Sequence, residues 1–207
     1  MRVDLDPEAV SRREFYAALN SVVVPRPIAW VSSRSADGVL NLAPHSFFTV
    51  ACVQPPMVQF TSVGRKDSLN NVEATGEFVV NFAAEALFEQ VNATGTNFPA
   101  EISEFEAVGL TTEPSRTVAV PRVAESPVAI ECTLHTTLEL GDSTVVIGRV
   151  RHLAIDAAVM VDGHPEIQLL RPLARLGKDE WSTIGEIRSI TRIRHAEWPG
   201  HYKPPHN

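Results

Sequence analysis

The sequence predicts a mostly β fold, an antiparallel barrel of Greek-key type with a few peripheral helices. Three observations carry this. Six or seven runs have strand character, against two or three short helical ones. No strand–helix–strand alternation of the kind that builds a parallel sheet runs along the chain. The clearest β signal is a pair of long runs, Val128 to Leu140 and Ser143 to Ile155, rich in β-branched residues and joined by Gly141-Asp142, which reads as a hairpin.

Taken in order, Asp6-Pro7-Glu8 has the pattern of a helix start, with Asp as N-cap and Pro at the first helical position, so a helix is expected over Pro7 to Leu19. Val22 to Ser33 reads as a strand whose Pro25 and Pro27 keep that part at an edge or bend. Ala36-Asp37-Gly38 is a hairpin turn signal, and Val39 to Asn41 starts the returning strand. Ser46 to Val53 and Met57 to Ser62 are further strands, separated by Gln54-Pro55-Pro56. Asp67 is placed to cap a helix over Ser68 to Ala74. The apolar run Phe78 to Val80 within a strand over Glu77 to Phe82 predicts burial on both faces. Ala84 to Ala93 is helical in pattern, and residues 95–121 read as a surface excursion with little regular structure. Val159 to Val161 with Asp162-Gly163 extends the β pattern, and Ile184, Ile187, Ile190 and Ile193, three apart, fit a helix better than a strand. The expected organisation is one domain over 1–190 and a tail over 191–207, with three prolines in its last ten residues.

The chain has 207 residues, 44% of them hydrophobic, enough for a sizeable core. Its net charge of -7 argues against nucleic acid and anionic membranes as partners, while leaving room for a local basic pocket. No run approaches the roughly 20 apolar residues of a membrane helix. The residues Met1 to Asp6 do not resemble a signal peptide, so a cytoplasmic location is expected. Cys52 and Cys132 are then expected as free thiols. The Rossmann and P-loop glycine fingerprints, the G-x-S-x-G elbow, H-E-x-x-H and paired C-x-x-C are all absent. His195, His201 and His206 match no metal-ligand spacing, and no metal is expected.

Two polar segments stand out. The first is Asn41-Leu42-Ala43-Pro44-His45-Ser46-Phe47-Phe48. Asn41, Ser46 and Thr49 offer side-chain hydrogen bonds, Pro44 stiffens the segment, and the phenylalanines supply apolar surface, as the edge and face of a flat ring require. The second is Thr61-Ser62-Val63-Gly64-Arg65-Lys66-Asp67-Ser68. Here Ser62, the Gly64 backbone, Arg65, Lys66 and Ser68 concentrate donors and positive charge of the kind a phosphate takes. Together they suit a flat, phosphorylated ligand such as flavin mononucleotide (FMN). Each segment alone also reads as an ordinary turn, and His45 reads either as a structural histidine or as a contact to the ring edge. Trp30 reads as core, and Arg175 as a surface residue or an aid to ligand or subunit contact.

At these residues the chain resembles the flavin reductase-like family with the FMN-binding split-barrel fold. The resemblance rests on Pro25-Arg26-Pro27-Ile28-Ala29-Trp30-Val31, on Asn41, Ala43, Pro44, Ser46 and Phe48, on Lys66-Asp67-Ser68, on Gly76-Glu77-Phe78-Val79-Val80-Asn81, on Ser103-Glu104-Phe105-Glu106 and on Arg171-Pro172-Leu173-Ala174-Arg175-Leu176-Gly177. It implies a homodimer with noncovalent FMN at the subunit interface, Asn41 to Phe48 bordering the ring, and Ser62 to Ser68 holding the phosphate. It implies NAD(P)H as a transient co-substrate and free flavin or a partner oxygenase as acceptor. Other members are flavoredoxin-like electron carriers. No catalytic side chain is implied, since the cofactor carries the chemistry. Where the family has a second glycine and a tyrosine after Arg-Leu-Gly, this chain has Lys178 and Trp181.

Overall fold

The computed structural model describes residues 1–198. Helix α1 (Arg12–Val22) starts later than its sequence suggests, because the Ser11 hydroxyl accepts the Glu14 N–H at 3.2 Å and caps it. Asp6 instead closes a separate turn by accepting the Glu8 N–H. The proline-containing run that reads as one long strand divides into the end of α1, the short β1 (Arg26–Pro27) and β2 (Ala29–Arg34).

Strand β3 (Leu40–His45) runs through Pro44 and contains most of the segment that reads as a loop. Only Ser46 and Phe47 separate it from β4 (Phe48–Cys52). Pro44 is tolerated because β3 is an edge strand, paired on one side only. β5 (Met57–Val63) leads into α2 (Asp67–Thr75), whose N-cap is Lys66 and not Asp67. β6 (Glu77–Phe82) follows, and a short 3₁₀ turn leads into α3 (Phe88–Ala93). The excursion over 95–121 holds one helical turn, α4 (Glu104–Ala107), and β7 (Thr112–Glu113), which pairs with β8 (Arg122–Val123). The predicted hairpin forms β9 (Val128–Leu140) and β10 (Ser143–Ile155). Beyond it lie β11 (Met160–Val161) paired with β12 (His164–Pro165), α5 (Ile167–Leu170), and β13 (Ala174–Arg175) paired with β1 and β14 (Trp181–Ser182).

The seven main strands form one antiparallel sheet in the order β3-β2-β6-β9-β10-β5-β4. Its two edges, β3 and β4, are consecutive in the chain and joined by two residues, so the sheet must curl until its edges meet. The Thr61 N–H donates to the Phe47 carbonyl at 2.9 Å, which continues the β4–β5 ladder one rung beyond Phe48. Inside pack Ala29, Val31, Val58, Phe60, Phe78, Val80, Cys132 and Val146, with Leu69 and Val72 of α2 among them. Outside, Ile28, Trp30 and Leu42 pack under Leu87, Val91 and Phe105. The other face of β6 is covered as predicted, since Val79 packs against Val118 and Val120. Both cysteines are free thiols, and burial pushes Cys132 up to about 12.

The isoleucines at 184–193 form no helix. A stripe repeating every three residues drifts off a 3.6-residue turn, and Gly185 with the β-branched residues lowers helix propensity further. Of the predicted tail, residues 199–207, with His201 and His206, lie outside the described residues.

Candidate functional site

A cavity of about 570 Å³ lies between β3 with its Ser46-Phe47 link and the end of β5 leading into α2, within the range of cofactor sites. Both polar segments reach it. Asn41, Ala43, Pro44, His45, Ser46 and Phe47 line it from one side, and Thr61, Arg65, Lys66 and Ser68 from the other. Four residues singled out from sequence do not, and of these Thr49 is exposed on β4. Phe48 packs toward the barrel interior. Ser62 is fully buried and donates to the Gly64 carbonyl at 2.9 Å, and the Gly64 N–H donates to Asp142 at 2.8 Å. Gly64, at φ +73°, lets the chain turn from β5 toward α2, so these two residues shape the bend and their donors are spent inside it.

The floor is a hydrogen-bonded polar cluster. Asn41 Nδ2 donates to Ser68 Oγ at 3.1 Å and to Ser33 Oγ at 3.2 Å, and Asn71 Nδ2 donates to the same Ser33 oxygen. This ties β3 to the first turn of α2. That turn has no side-chain cap, so its free N–H groups stand at the cavity beside Lys66. A helix N-terminus therefore borders the site although no glycine fingerprint announces it. Arg65 is held by Glu73 and by Asn70 Oδ1 at 3.2 Å.

His45 is buried, its ring 4.7 Å from that of Phe60 at a 45° tilt. Burial lowers its pKa to about 4, helped by Lys66 and opposed by a hydrogen bond to the Thr61 backbone, so the imidazole is neutral at neutral pH. Its Nε2 has no partner among the described residues. Glu104 accepts the Leu42 N–H at 2.8 Å, and burial raises its carboxyl above the ordinary range.

Sequence reading missed Tyr16, the run from Thr94 to Phe98, and Glu104 as lining residues. Trp30, which reads as core and is fully buried, donates to Thr94 Oγ1 at 2.8 Å and so holds the 94–98 rim in place. The only signal there was a short Thr-Gly-Thr-Asn run. A second cavity of about 540 Å³ shares Pro44, Ser46, Gly95 and Arg175 with the first and is walled by Phe88 and Trp181, whose rings meet edge to face at 5.2 Å. The Arg175 guanidinium lies 4.7 Å from the Trp181 ring. Among the described residues no cluster of His, Cys, Asp or Glu could hold a metal, and no helix is long and apolar enough to cross a membrane.

A curled seven-stranded sheet with a polar cavity beside its edge strand β3, three cationic side chains on the cavity wall and small hydroxyls on its floor defines a split barrel. The profile of the flavin reductase-like domain matches residues 21–165, and the chain belongs to that family. An uncharacterized protein of Halalkalibacterium halodurans is 38% identical over 200 residues, 91% of this chain and 95% of its own. The crystal structure of nitrilotriacetate monooxygenase component B from Bacillus cereus superposes with a TM-score of 0.88 at 30% identity, covering 92% of this chain and 99% of that one. A Shewanella frigidimarina structure with a split barrel domain has a TM-score of 0.83 at 23% identity, covering 93% and 100%, and shows the shared fold.

Proposed function

We propose that the cavity holds FMN noncovalently and that the protein is a flavin oxidoreductase working with NAD(P)H. The single observation behind this is the convergence of 41–47 and 61–68, far apart in sequence, on one cavity. In this reading Asn41, Ala43, Pro44, His45, Ser46 and Phe47 border the flavin ring. Lys66, Ser68 and the open first turn of α2 take the phosphate, with Arg65 adding charge at longer range. The chemistry of the buried groups fits. A neutral His45 beside the ring adds no charge, and three cations, Arg65, Lys66 and Arg175, outnumber the two acidic side chains, Asp67 and Glu104, on the lining.

Bound flavin would supply hydride acceptance from a nicotinamide and onward electron transfer. The chain's own residues bind and orient it. The second cavity, opening on the first through Pro44, Ser46, Gly95 and Arg175, gives a second substrate a place against the same ligand. Electrons would pass to free flavin or to a partner oxygenase, a role in keeping with the Bacillus cereus component B to which the chain is similar. A homodimer with FMN at its interface accords with the apolar side chains left on the surface, Val50, Val53, Leu138, Leu140 and Leu153, each at least half exposed.

A second reading, an FMN electron carrier that takes electrons from another protein, is favoured by Trp181 standing under Arg175 at the wall of the second cavity. One experiment separates the two. The purified protein should be yellow, and heat should release a pigment of FMN's mass. Anaerobic stopped-flow mixing with NADH or NADPH should then bleach it. A yellow protein that neither donor bleaches leaves the carrier reading, and a colourless protein that takes up no added FMN removes both.

A further inference from the structure

Arg175 stands where the two cavities meet. One of its Nη groups donates to the Lys178 carbonyl at 3.0 Å, which together with the Trp181 ring fixes the guanidinium. Among the described residues no carboxylate lies within ion-pair distance of it, and Lys178 is its one hydrogen-bond partner. Most of its N–H edge is therefore open.

A second arginine deepens the local excess of positive charge. β1 and β13 set Arg26 opposite Arg175. Arg26 is only 8% exposed, and its donors go to carbonyls: Asn20 and Val23 at the end of α1, and Leu176 at 2.7 Å, next to Arg175. It too has no carboxylate partner among the described residues. Burial and then the charge of Arg175 lower its pKa. Two guanidinium charges thus face each other with only carbonyls and a ring to offset them, so an anion at the open edge of Arg175 relieves both.

The rest of the second cavity says what carries that anion. Phe88 and Trp181 form an aromatic corner, with Ile28 and Pro44 on the same lining. Such a corner takes a flat ring face and edge. Asp179, exposed on the lining, lies outside ion-pair distance of Arg175. One cation opposed at a distance by one acid suits a single negative charge better than the nearly two of a phosphate ester. The planar fork of an arginine matches a carboxylate.

We propose that the second cavity binds a small aromatic acid, its ring against Phe88 and Trp181 and its carboxylate on Arg175. The proposal rests on the reading of this cavity as a second-substrate place and names the class of ligand that the place selects.

Calorimetric titration of the full chain, with and without added FMN, tests it using benzoate, benzamide and inorganic phosphate as probes. Benzoate should bind at least about tenfold more tightly than benzamide, whose ring is the same and whose charge is gone. Arg175→Gln should erase that preference, and Phe88→Ala should weaken both probes alike. Equal binding of benzoate and benzamide by the parent would overturn the role of Arg175. Phosphate binding as tight as benzoate would show a bare anion site and overturn the aromatic class. Displacement of FMN by benzoate would place the acid in the first cavity and overturn the proposal while leaving the flavin reading standing. A benzoate preference in a protein that takes up no FMN would uphold the acid site and remove the flavin reading alone.

Discussion

Two neighbouring cations in the cavity are predicted to contribute unequally. Arg65 is engaged by Glu73 and Asn70, whereas Lys66 stands at the N-cap of α2 beside uncapped N–H groups. A charge-assisted bond to phosphate is worth about 1.5–3 kcal/mol. Lys66→Ala should therefore weaken FMN binding by roughly 10- to 150-fold, and Arg65→Ala by clearly less, as read by fluorescence titration of the flavin. Equal losses would mean that Arg65 leaves Glu73 on binding; no loss at either would place the phosphate elsewhere. His45 gives a stability prediction of definite sign. In the unfolded chain it binds a proton below about pH 6.5, and in the folded chain only below about 4. Its contribution is thus complete above pH 6.5 and is lost as pH falls from there toward 4, by up to about 3 kcal/mol. Urea unfolding at about pH 7 and about pH 5 should show a larger loss for the parent than for His45→Phe, which keeps a ring against Phe60. Parallel losses in both proteins would contradict a buried neutral imidazole.

The β9–β10 hairpin sets the barrel's curvature, and its register shifts between Ile147 and Gly148. A Cβ on Gly148 would stand 2.2 Å from Phe78 Cζ and 3.1 Å from Cys132 Cβ, in the barrel interior. Gly148→Ala should therefore cost about 1–3 kcal/mol by overpacking, seen as a lower urea midpoint at unchanged m-value. A neutral result would mean that Phe78 has room to turn aside. This hairpin was also the most legible element in the sequence, since long β-branched runs around a Gly-Asp turn leave little alternative. Elements that depend on distant partners were harder to read. Pro44 looks like a loop marker, and only its place on an edge strand makes it compatible with β3. The start of α1 was read from the Asp6-Pro7 pattern, whereas the helix begins at Arg12 under a Ser11 cap that competes for the same turn. In the site, the donor-rich segments were visible as local composition. Which donors face the cavity was not, because Ser62 and the Gly64 N–H are consumed by partners that only the folded bend supplies. The Thr94–Phe98 rim was invisible for the same reason, since the bond from Trp30 that fixes it spans 64 residues.

At the scale of the whole molecule, ligand binding and association should be coupled. A ligand held by the native state alone stabilises it by about 2.7 kcal/mol at a hundredfold excess over its dissociation constant. For a chain of 207 residues that corresponds to a rise in Tm of about 5–10 °C with saturating FMN. If the cavity wall near Tyr16, Phe47 and Val63 is completed by a second copy, the flavin and the partner stabilise each other, and the coupling is reciprocal. Diluting the yellow protein below its dimer dissociation constant should then release FMN, recovered as a rise in free-flavin fluorescence, and added FMN should shift sedimentation toward the dimer. The two effects must agree in size, because they are one free energy measured from two sides. Flavin affinity that stays constant across the dimer–monomer transition would show that a single chain holds the cofactor unaided, and would confine the second copy to covering the apolar surface around Val50, Leu138 and Leu153.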